Sequence, residues 1–166
     1  MTLVDPRTAP RSDLLRLLAL NNAAKVETSE LDAARLQQLF GVAFLALATP
    51  DSTALLIAFD QAAEYDSPNF LWFRARYDRF VYVDRVIVAE AERGRGLARQ
   101  LYMALSAAAQ AAGHTRVVCE VNIDPPNPVS DAFHGALGFA EVGRGQLARG
   151  KAVRYLEYPI TPRIRF

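Results

Sequence analysis

Residues 86–98 read VIVAEAERGRGLA and join a β-prone run to an Ala- and Leu-rich segment through a basic turn. At the start of a helix the first backbone N–H groups lack internal partners, and the helix dipole adds partial positive charge. Gly94 and Gly96 let that backbone approach an anion closely, and the guanidinium groups of Arg93 and Arg95 can bind phosphate oxygens. The turn is therefore predicted to bind a pyrophosphate group. The alternative is a turn in which the glycines serve only the backbone conformation.

Two other phosphate-binding turns are excluded by the local sequence. A P-loop carries a lysine and then Ser or Thr after its last glycine, whereas Leu97 and Ala98 follow Gly96 here. A dinucleotide-binding turn has three closely spaced glycines near the start of a βαβ unit, and the third glycine is missing.

The length and charge of the chain favour one compact domain. Its 166 residues are expected to form a single domain, 1–166, and folding should bury about 70% of the surface of the unfolded chain. The formal net charge of +1 argues against nucleic acid or an anionic membrane as the main partner. The lone cysteine, Cys119, lies in a β-branched run and is expected to be a core residue rather than a nucleophile.

No leader or membrane span is expected. The first residues lack a basic region followed by an apolar stretch, and the apolar run 42–48 is far shorter than the roughly 20 residues that span a bilayer. We therefore expect a cytoplasmic protein.

Hydrophobic periodicity and turn residues predict alternating helices and strands. Ser29 and Asp32 resemble a capping box for the second helix. The expected elements are a helix opening at 10–12 and ending at 21–22, a second helix ending at Gly41, a hairpin of strands 42–49 and 53–59, a helical segment within 70–77, a strand over 80–88, a helix from Leu97 to Gly113, a strand over 116–121, a helix over 128–137 and strands near 140–147 and 152–158. This order predicts an α/β fold, a sandwich with helices on a mixed, mostly antiparallel sheet of about six to seven strands.

Two blocks of the sequence resemble the GNAT superfamily of acyl-CoA-dependent N-acetyltransferases. The pyrophosphate loop of that family reads Gln or Arg, two residues, Gly, one residue, then Gly or Ala, which corresponds to Arg93, Gly96 and Ala98. The second block is a short strand over 116–121 followed by a helix that ends in Gly-Phe. Its matching residues are Asn127, Ser130, Phe133, His134, Gly138 and Phe139.

The resemblance implies acetyl-CoA as the cofactor and a particular way of binding it. The strands 80–88 and 116–121 are expected to splay apart, with the thioester in the gap. Backbone groups of Ile87 and Val88 are expected to bind the pantetheine arm, and an N–H near Val88 to polarise the thioester carbonyl. The implied cofactor-binding residues are Val86, Ile87, Val88, Arg93, Gly94, Arg95, Gly96, Leu97, Ala98, Asn127 and Ser130. For Asn127 and Ser130 the alternative is a role in starting the helix.

The reaction implied is direct attack of an amine on the thioester, which needs a base, an acid and a polarising donor. Asp84 is the leading base candidate because it is a lone carboxylate on an apolar strand face, with Arg85 pointing the other way. The alternative is an Asp that is paired with a neighbouring Arg for structural reasons. Glu120, on the partner strand, is a weaker candidate that could act through water, and its alternative is a solvated or salt-bridged strand residue.

His134 is the candidate acid, because it occupies the place where many relatives carry a tyrosine that protonates the departing thiolate. An imidazole can donate a proton near neutral pH, and its ordinary pKa near 6.5 suits that role better than a phenol. The alternative is a structural histidine. Tyr102 and Tyr155 are the substitutes.

Acceptor recognition is expected in the first helical region and in the loop before the central strand. The candidates are Asn21, Asn22, Glu27, Asp66 and Asn69, with Thr28, Ser67 and Trp72 as neighbours. The predicted function is acetyl transfer from acetyl-CoA to a primary amine of a small molecule, amino acid or peptide, without a metal. The alternative is a non-catalytic module that binds acyl-CoA or another protein. A hydroxyl or thiol acceptor and a longer acyl chain are also left open. A homodimer formed through the last strands is left open as well.

Overall fold

The computed structural model describes residues 2–24 and 27–161. Contacts divide the chain into two compact units, one of Met1–Phe59 with Val83–Leu105 and one of Asp60–Tyr82 with Ser106–Phe166. The main elements are α1 (Arg11–Ala23), α2 (Ala33–Val42), β1 (Leu45–Ala48), β2 (Ala54–Asp60), α3 (Pro68–Arg74), β3 (Val81–Val88), α4 (Leu97–Ala111), β4 (Arg116–Asp124), α5 (Pro128–Leu137), β5 (Ala140–Gln146) and β6 (Ala152–Pro159). Single turns of 3₁₀-helix lie at Pro6–Thr8, Glu90–Glu92 and Ala148–Gly150.

The strands within the described residues form one mixed sheet in the order β1-β2-β3-β4-β6-β5. β1 runs antiparallel to β2, and β6 runs antiparallel to both β4 and β5. β3 and β4 are parallel, and their ladder comprises the two pairs Val81–Val117 and Tyr82–Val118. The α/β class and the mixed, mostly antiparallel sheet are confirmed.

In the first unit the predicted helices form, but α2 begins and ends differently from the prediction. Asp32 caps α2 by accepting a hydrogen bond from Arg35 N at 2.7 Å, so Ser29 is not the capping residue. Gly41 lies inside α2, and the helix continues to Val42 because the chain turns away only at Ala43. Leu36, Leu39 and Phe40 are buried, as their spacing predicts.

The second unit has an aromatic core built around α3, which confirms the helical segment predicted near residues 70–77. Phe70, Phe73, Phe80 and Tyr82 are at most 1% exposed, and their rings meet one another at centroid distances of 5.6–6.3 Å. Such ring pairs add about 0.5–1.5 kcal/mol each beyond the burial of their area. Cys119 is buried on β4, as expected.

Candidate active site

The turn before α4 has the backbone that its glycines predict. Gly94 and Gly96 have φ values of +75° and +77°, a left-handed conformation that side chains rarely adopt. A Cβ at either glycine would meet nothing within 4 Å, so the face of the turn is open. Gln100 N bonds Gly96 O at 3.1 Å. The N–H groups of the three residues before Gln100 therefore precede the helical ladder and can receive an anion.

Both arginines of the turn are exposed and tied to nearby groups of the same segment. Arg93 Nε donates to the carbonyl of Val88, the last residue of β3, at 3.4 Å. Arg95 forms an ion pair with Glu92 at the surface. Two exposed guanidinium groups beside an open helix start fit a diphosphate, which would compete with Glu92 for Arg95. Leu97 is buried and anchors the helix start, and Ala98 is half-buried.

Asp84 is not the lone carboxylate that the strand pattern predicts. The guanidinium of Arg85 folds back along β3, and its Nε donates to Asp84 Oδ2 at 2.7 Å. Both side chains are about 5% exposed or less, so this is a buried ion pair. Arg85 also donates to Asn21 Oδ1 at 2.6 Å and to Ser29 Oγ at 3.3 Å. Asp84 is therefore paired with a neighbouring arginine, which is the alternative that the sequence left open.

Asn21 and Asn22, predicted to bind the acceptor, hold the chain that follows α1. Asn21 is fully buried, and its Nδ2 donates to the Ser29 carbonyl and to Asn22 Oδ1, each at 2.9 Å. Asn22 donates to the Leu31 carbonyl at 2.8 Å and accepts from Leu31 N at 2.9 Å. These amides are engaged in supporting the segment, and direct acceptor contact by Asn21 would need exposure that it lacks.

In the second unit a carboxylate is held by neutral donors. Glu120 lies on β4, and its Oε1 accepts from Tyr82 Oη and from Asn69 Nδ2, each at 3.0 Å. Oε2 of the same carboxylate is shielded from solvent. Hydrogen bonds of this kind favour the ionised form, whereas burial disfavours it. Glu120 is thus a carboxylate that two hydrogen bonds hold in place.

Asn69 joins this carboxylate to a buried tyrosine. Tyr155 Oη donates to Asn69 Oδ1 at 3.1 Å, and the Tyr155 ring stacks on Trp72 with centroids 4.1 Å apart. Burial raises the pKa of Tyr155, the charge of Glu120 adds to the rise, and the charge of Arg76 opposes it. A phenol whose proton is donated to Asn69 and whose pKa is raised is a poor general acid near neutral pH.

His134 is buried within α5 and its proton position can be deduced. Nδ1 lies 2.8 Å from the Ser130 carbonyl oxygen, which can only accept, so Nδ1 carries a proton. Burial lowers the pKa of His134, although the Ser130 carbonyl and the charge of Asp131 oppose the shift. The neutral ring therefore holds its lone pair on Nε2, and donation from Nε2 requires the charged form. Its ring packs edge-on against Phe133 and Phe139.

Asn127 fills the helix-start role that was its alternative, whereas Ser130 is not the capping residue. Asn127 caps α5, and its Oδ1 accepts from Ser130 N at 3.1 Å. A side-chain cap of this kind contributes about 1 kcal/mol. Ser130 Oγ also lies 3.2 Å from His134 Nδ1. Cofactor contact by either residue stays a prediction.

The other predicted site residues differ in exposure. Glu27 and Asp66 are exposed, Ile87 is buried, and Val86 and Val88 are half-buried. Tyr102 is buried on α4. The turn, Asp84 and the two asparagines belong to the first unit, whereas Glu120, Asn69 and His134 belong to the second.

Comparison with known proteins decides the family. Residues 42–139, more than half of the chain, match the model of the Acetyltransferase (GNAT) family. The chain belongs to the GNAT acetyltransferase family. The match runs from the end of α2 through α5 and includes the turn, Asn69, Glu120 and His134.

Solved structures share the fold of this GNAT protein. Naa20 of Chaetomium thermophilum, in complex with a bisubstrate analogue, superposes with a TM-score of 0.73 at 19% identity, covering 96% of this chain and 87% of that one. An aminoglycoside 6'-N-acetyltransferase complexed with coenzyme A superposes with a TM-score of 0.72 at 15% identity. The match covers 99% of this chain and 100% of that one. The ribosomal-protein-alanine N-acetyltransferase of Brucella melitensis superposes with a TM-score of 0.69 at 20% identity. The match covers 96% of this chain and 99% of that one. None of the curated proteins matches in sequence.

Membership of the GNAT family confirms the acyltransferase class and acetyl-CoA as the acyl donor. Among residues 2–24 and 27–161, no three His, Cys, Asp or Glu side chains are grouped to hold a metal ion. No helix in the same ranges has the length and apolar character needed to cross a membrane.

The structure brings Glu120 together with Tyr82 and Asn69, an arrangement that the sequence does not predict. The sequence makes Glu120 the weaker base candidate and places Asn69 in the predicted acceptor loop. Tyr82 was only a strand residue. Their convergence has no local signal, because Asn69 and Glu120 are 51 positions apart and Tyr155 is 86 positions from Asn69.

Proposed function

We propose that this GNAT protein is an N-acetyltransferase that moves the acetyl group of acetyl-CoA to a primary amine of a small molecule, amino acid or peptide. The observation that carries the proposal is the Glu120 carboxylate, which Tyr82 and Asn69 hold on β4 with hydrogen bonds of 3.0 Å. An amine must lose a proton to attack an acyl group directly, and a preorganised carboxylate is the group that can receive it.

The free energy needed to deprotonate the acceptor depends on the pKa of its amine. A lysine-like amine with a pKa near 10.4 needs about 4 to 5 kcal/mol to lose its proton at pH 7, whereas an α-amino group needs about 1 kcal/mol. A positioned base is therefore most valuable for the more basic acceptor. The three neighbours of the fold comparison include enzymes for ribosomal-protein alanine and for an aminoglycoside. Both kinds of amine belong in a substrate panel.

Glu120 is preferred to Asp84 as the base because of what each carboxylate contacts. Asp84 is neutralised by the guanidinium of Arg85, and the pair is buried with Asn21. Removing its charge partner or its charge would leave an uncompensated group in the interior. Glu120 accepts hydrogen bonds from Tyr82 and Asn69, which hold its carboxylate in place to receive a proton. Asp84 stays the second candidate.

The turn of Arg93–Ala98 supplies the binding of the donor. When bound, acetyl-CoA supplies an activated acyl thioester. The open N–H groups at the start of α4 and the guanidinium groups of Arg93 and Arg95 receive its diphosphate. His134, once charged at Nε2, is the proposed proton donor to the leaving thiolate. Its lowered pKa then makes the charged form scarce above neutral pH.

The first test is thermal unfolding with and without acetyl-CoA. A ligand at 100 times its dissociation constant stabilises the folded state by about 2.7 kcal/mol. A rise in Tm supports the donor site, and the absence of any rise at millimolar acetyl-CoA contradicts it. Release of free CoA is then followed with a panel of α-amino peptides, lysine-like amines and aminoglycosides.

Glu120→Gln and Asp84→Asn separate the base candidates. Loss of a general base lowers kcat by about 10²–10⁴-fold, so Glu120→Gln should lose that factor and keep its affinity for acetyl-CoA. A loss of kcat confined to Asp84→Asn, in a protein that is as stable in urea as the wild type, would transfer the role to Asp84. Binding of acetyl-CoA without turnover of any amine in the panel would favour the acyl-CoA-binding module instead.

A further inference from the structure

The hydrogen bonds around Glu120 give the Asn69 amide one orientation. An ionised carboxylate can only accept, so the Nδ2 group must face Glu120 Oε1, at 3.0 Å. This leaves Oδ1 to accept the Tyr155 hydroxyl proton at 3.1 Å. A flipped amide would set oxygen against oxygen at Glu120. The amide is therefore a fixed link between the two ionisable side chains.

Asn69 is itself held by the aromatic residues of its own helix. Its neighbour Phe70 is fully buried, and Trp72 stacks on Tyr155 with an interplanar angle of 20°. The guanidinium of Arg76, in the turn that follows α3, lies 3.7 Å from the centre of the Trp72 ring. Rings that are packed in this way leave α3 little freedom to move its first turn. The position of the amide is thus set before any substrate arrives.

We propose that Asn69 is a positioning residue that holds the Glu120 carboxylate in one orientation and in its charged form. The proposal rests on the proposed function, in which Glu120 is the base. The ionisable side chains around Glu120 and Asn69 include Tyr82 from β3, Tyr155 from β6 and Arg76 from the turn after α3. Asn69 contributes a neutral amide, which stabilises the charge of Glu120 without titrating itself.

The decisive measurement follows Glu120 directly and needs no substrate. Glutamate side-chain carboxyl carbons are titrated by NMR in protein labelled with ¹³C, and Glu120→Gln assigns the Glu120 signal. Asn69→Leu removes the amide with little change of volume. The midpoint of the Glu120 titration should then rise by about one pH unit, since a hydrogen bond to a charged group is worth about that much.

Asn69→Asp provides the sharper variant because it keeps the shape and places a carboxylate where the donor was. The Glu120 midpoint should rise further than in Asn69→Leu, because two like charges at hydrogen-bond distance disfavour double ionisation. Ala62→Asp is the matched control, since it adds the same charge at an exposed position of the same connection between β2 and β3. Its Glu120 midpoint should equal that of the wild type.

The kinetic readout separates this inference from the proposed function. With an amine substrate, kcat is measured as a function of pH. The acid limb of this pH profile should move in Asn69→Leu by the same amount as the NMR midpoint of Glu120. The KM for acetyl-CoA should be unchanged. An NMR midpoint that is unchanged in both Asn69 variants overturns the positioning role. A midpoint that moves while the kinetic limb stays fixed supports the positioning role and removes Glu120 as the base.

Discussion

The same six-residue pattern, A-E-x-G-R-G, occurs twice in this chain with two different structures. It covers residues 91–96 in the first unit and 140–145 in the second, and Leu-Ala-Arg follows closely in both places. Both copies form an ion pair between their glutamate and their arginine, Glu92 with Arg95 and Glu141 with Arg144. Composition and local charge pairing are therefore shared by a helix-start turn and by strand β5.

The glycines of the two copies are required for different physical reasons. Gly94 and Gly96 adopt positive φ and face open space, so they are needed for backbone conformation. Gly143 and Gly145 lie in β5, where an added Cβ would be 2.4 Å from Trp72 Cζ2 or 2.5 Å from Tyr155 Oη. A glycine in a strand often marks such a close approach. A Gly-Arg-Gly triplet therefore does not by itself indicate an anion site, because in β5 its glycines leave room for two aromatic rings.

The largest expected effect comes from adding a methyl group to the strand copy. Gly143→Ala should lower the free energy of unfolding by about 1–3 kcal/mol, the usual cost of overpacking. Trp72 cannot move away cheaply because it is stacked on Tyr155 and packed edge-on against Phe73. Urea unfolding measures the loss. The dissociation constant for acetyl-CoA of the folded variant should be unchanged.

Val142→Ala is the control for that strand variant. Val142 is the preceding residue of β5 and is 39% exposed. Surface changes of this kind usually stay within about 0.5 kcal/mol. A Gly143→Ala protein that is as stable as Val142→Ala would mean that the rings rearrange freely, and the steric account of this glycine would fail.

The corresponding change in the turn copy should cost less stability and also affect binding. Gly96→Ala places a side chain at a φ of +77°, and a left-handed residue costs roughly 1–2 kcal/mol. Its methyl group would also occupy the open face that is proposed to receive the diphosphate. We expect weaker acetyl-CoA binding by calorimetry as well as a lower midpoint in urea. Unchanged affinity would show that the anion does not contact this face.

Gly41→Ala is the matched control for the turn variant. Gly41 lies in α2 without positive φ, and a Cβ there meets nothing within 4 Å. Alanine is favoured over glycine in a helix by about 1 kcal/mol at most. The same chemical change should therefore stabilise the protein slightly at residue 41 and destabilise it at residue 96.

The arginines test the comparison next. Replacing Arg93 and Arg95 by alanine should weaken acetyl-CoA binding by about tenfold, which corresponds to about 1.4 kcal/mol. Arg144→Ala removes an equivalent arginine from the strand copy and should leave the affinity unchanged. The comparison fails if Arg144→Ala weakens binding as much as the turn variants do.

The smallest expected effect is on pH-dependent stability, and it belongs to the unit that carries the strand copy. Burial lowers the pKa of both His114 and His134 from the ordinary 6.5; the charge of Arg79 lowers that of His114 further, while Asp60 opposes the shift. The unfolded chain then binds protons more readily than the folded protein below about pH 6.5. The histidine contribution to stability is complete above that pH and is lost as pH falls through the folded pKa values.

Urea unfolding at a series of pH values between 7.5 and 5 measures this loss. His134→Asn and His114→Asn should each make the profile flatter on the acid side. A wild-type stability that rises over this range as the pH falls would contradict the sign of both shifts.

Local signals in the sequence predict most of the elements of the fold. α5 begins and ends at the expected residues because Asn127, Pro128 and Gly138 act within one turn of the helix ends. The capping box at Ser29 is wrong, since Asp32 alone accepts the bond from Arg35 N. The hydroxyl of Ser29 instead receives the guanidinium of Arg85, 56 positions away.

The candidate site is predicted only where its parts are contiguous in the chain. The turn 93–98 carries its own backbone donors and charges, so a short stretch suffices. Asp84 looked isolated because a period of two sends Arg85 to the other face, yet a long side chain can fold back. The link from Glu120 through Asn69 to Tyr155 joins three elements, and no local pattern encodes it.

The rings that lie over β5 have an evolutionary consequence. Trp72 and Tyr155 occupy the volume that side chains at 143 and 145 would need. In descendants of this chain, a residue larger than glycine at 143 should appear only after, or together with, a smaller residue at 72. The same dependence should link 145 with 155. The two pairs would then leave a record of joint substitution among homologues, although Trp72 and Gly143 stand 71 positions apart in the sequence.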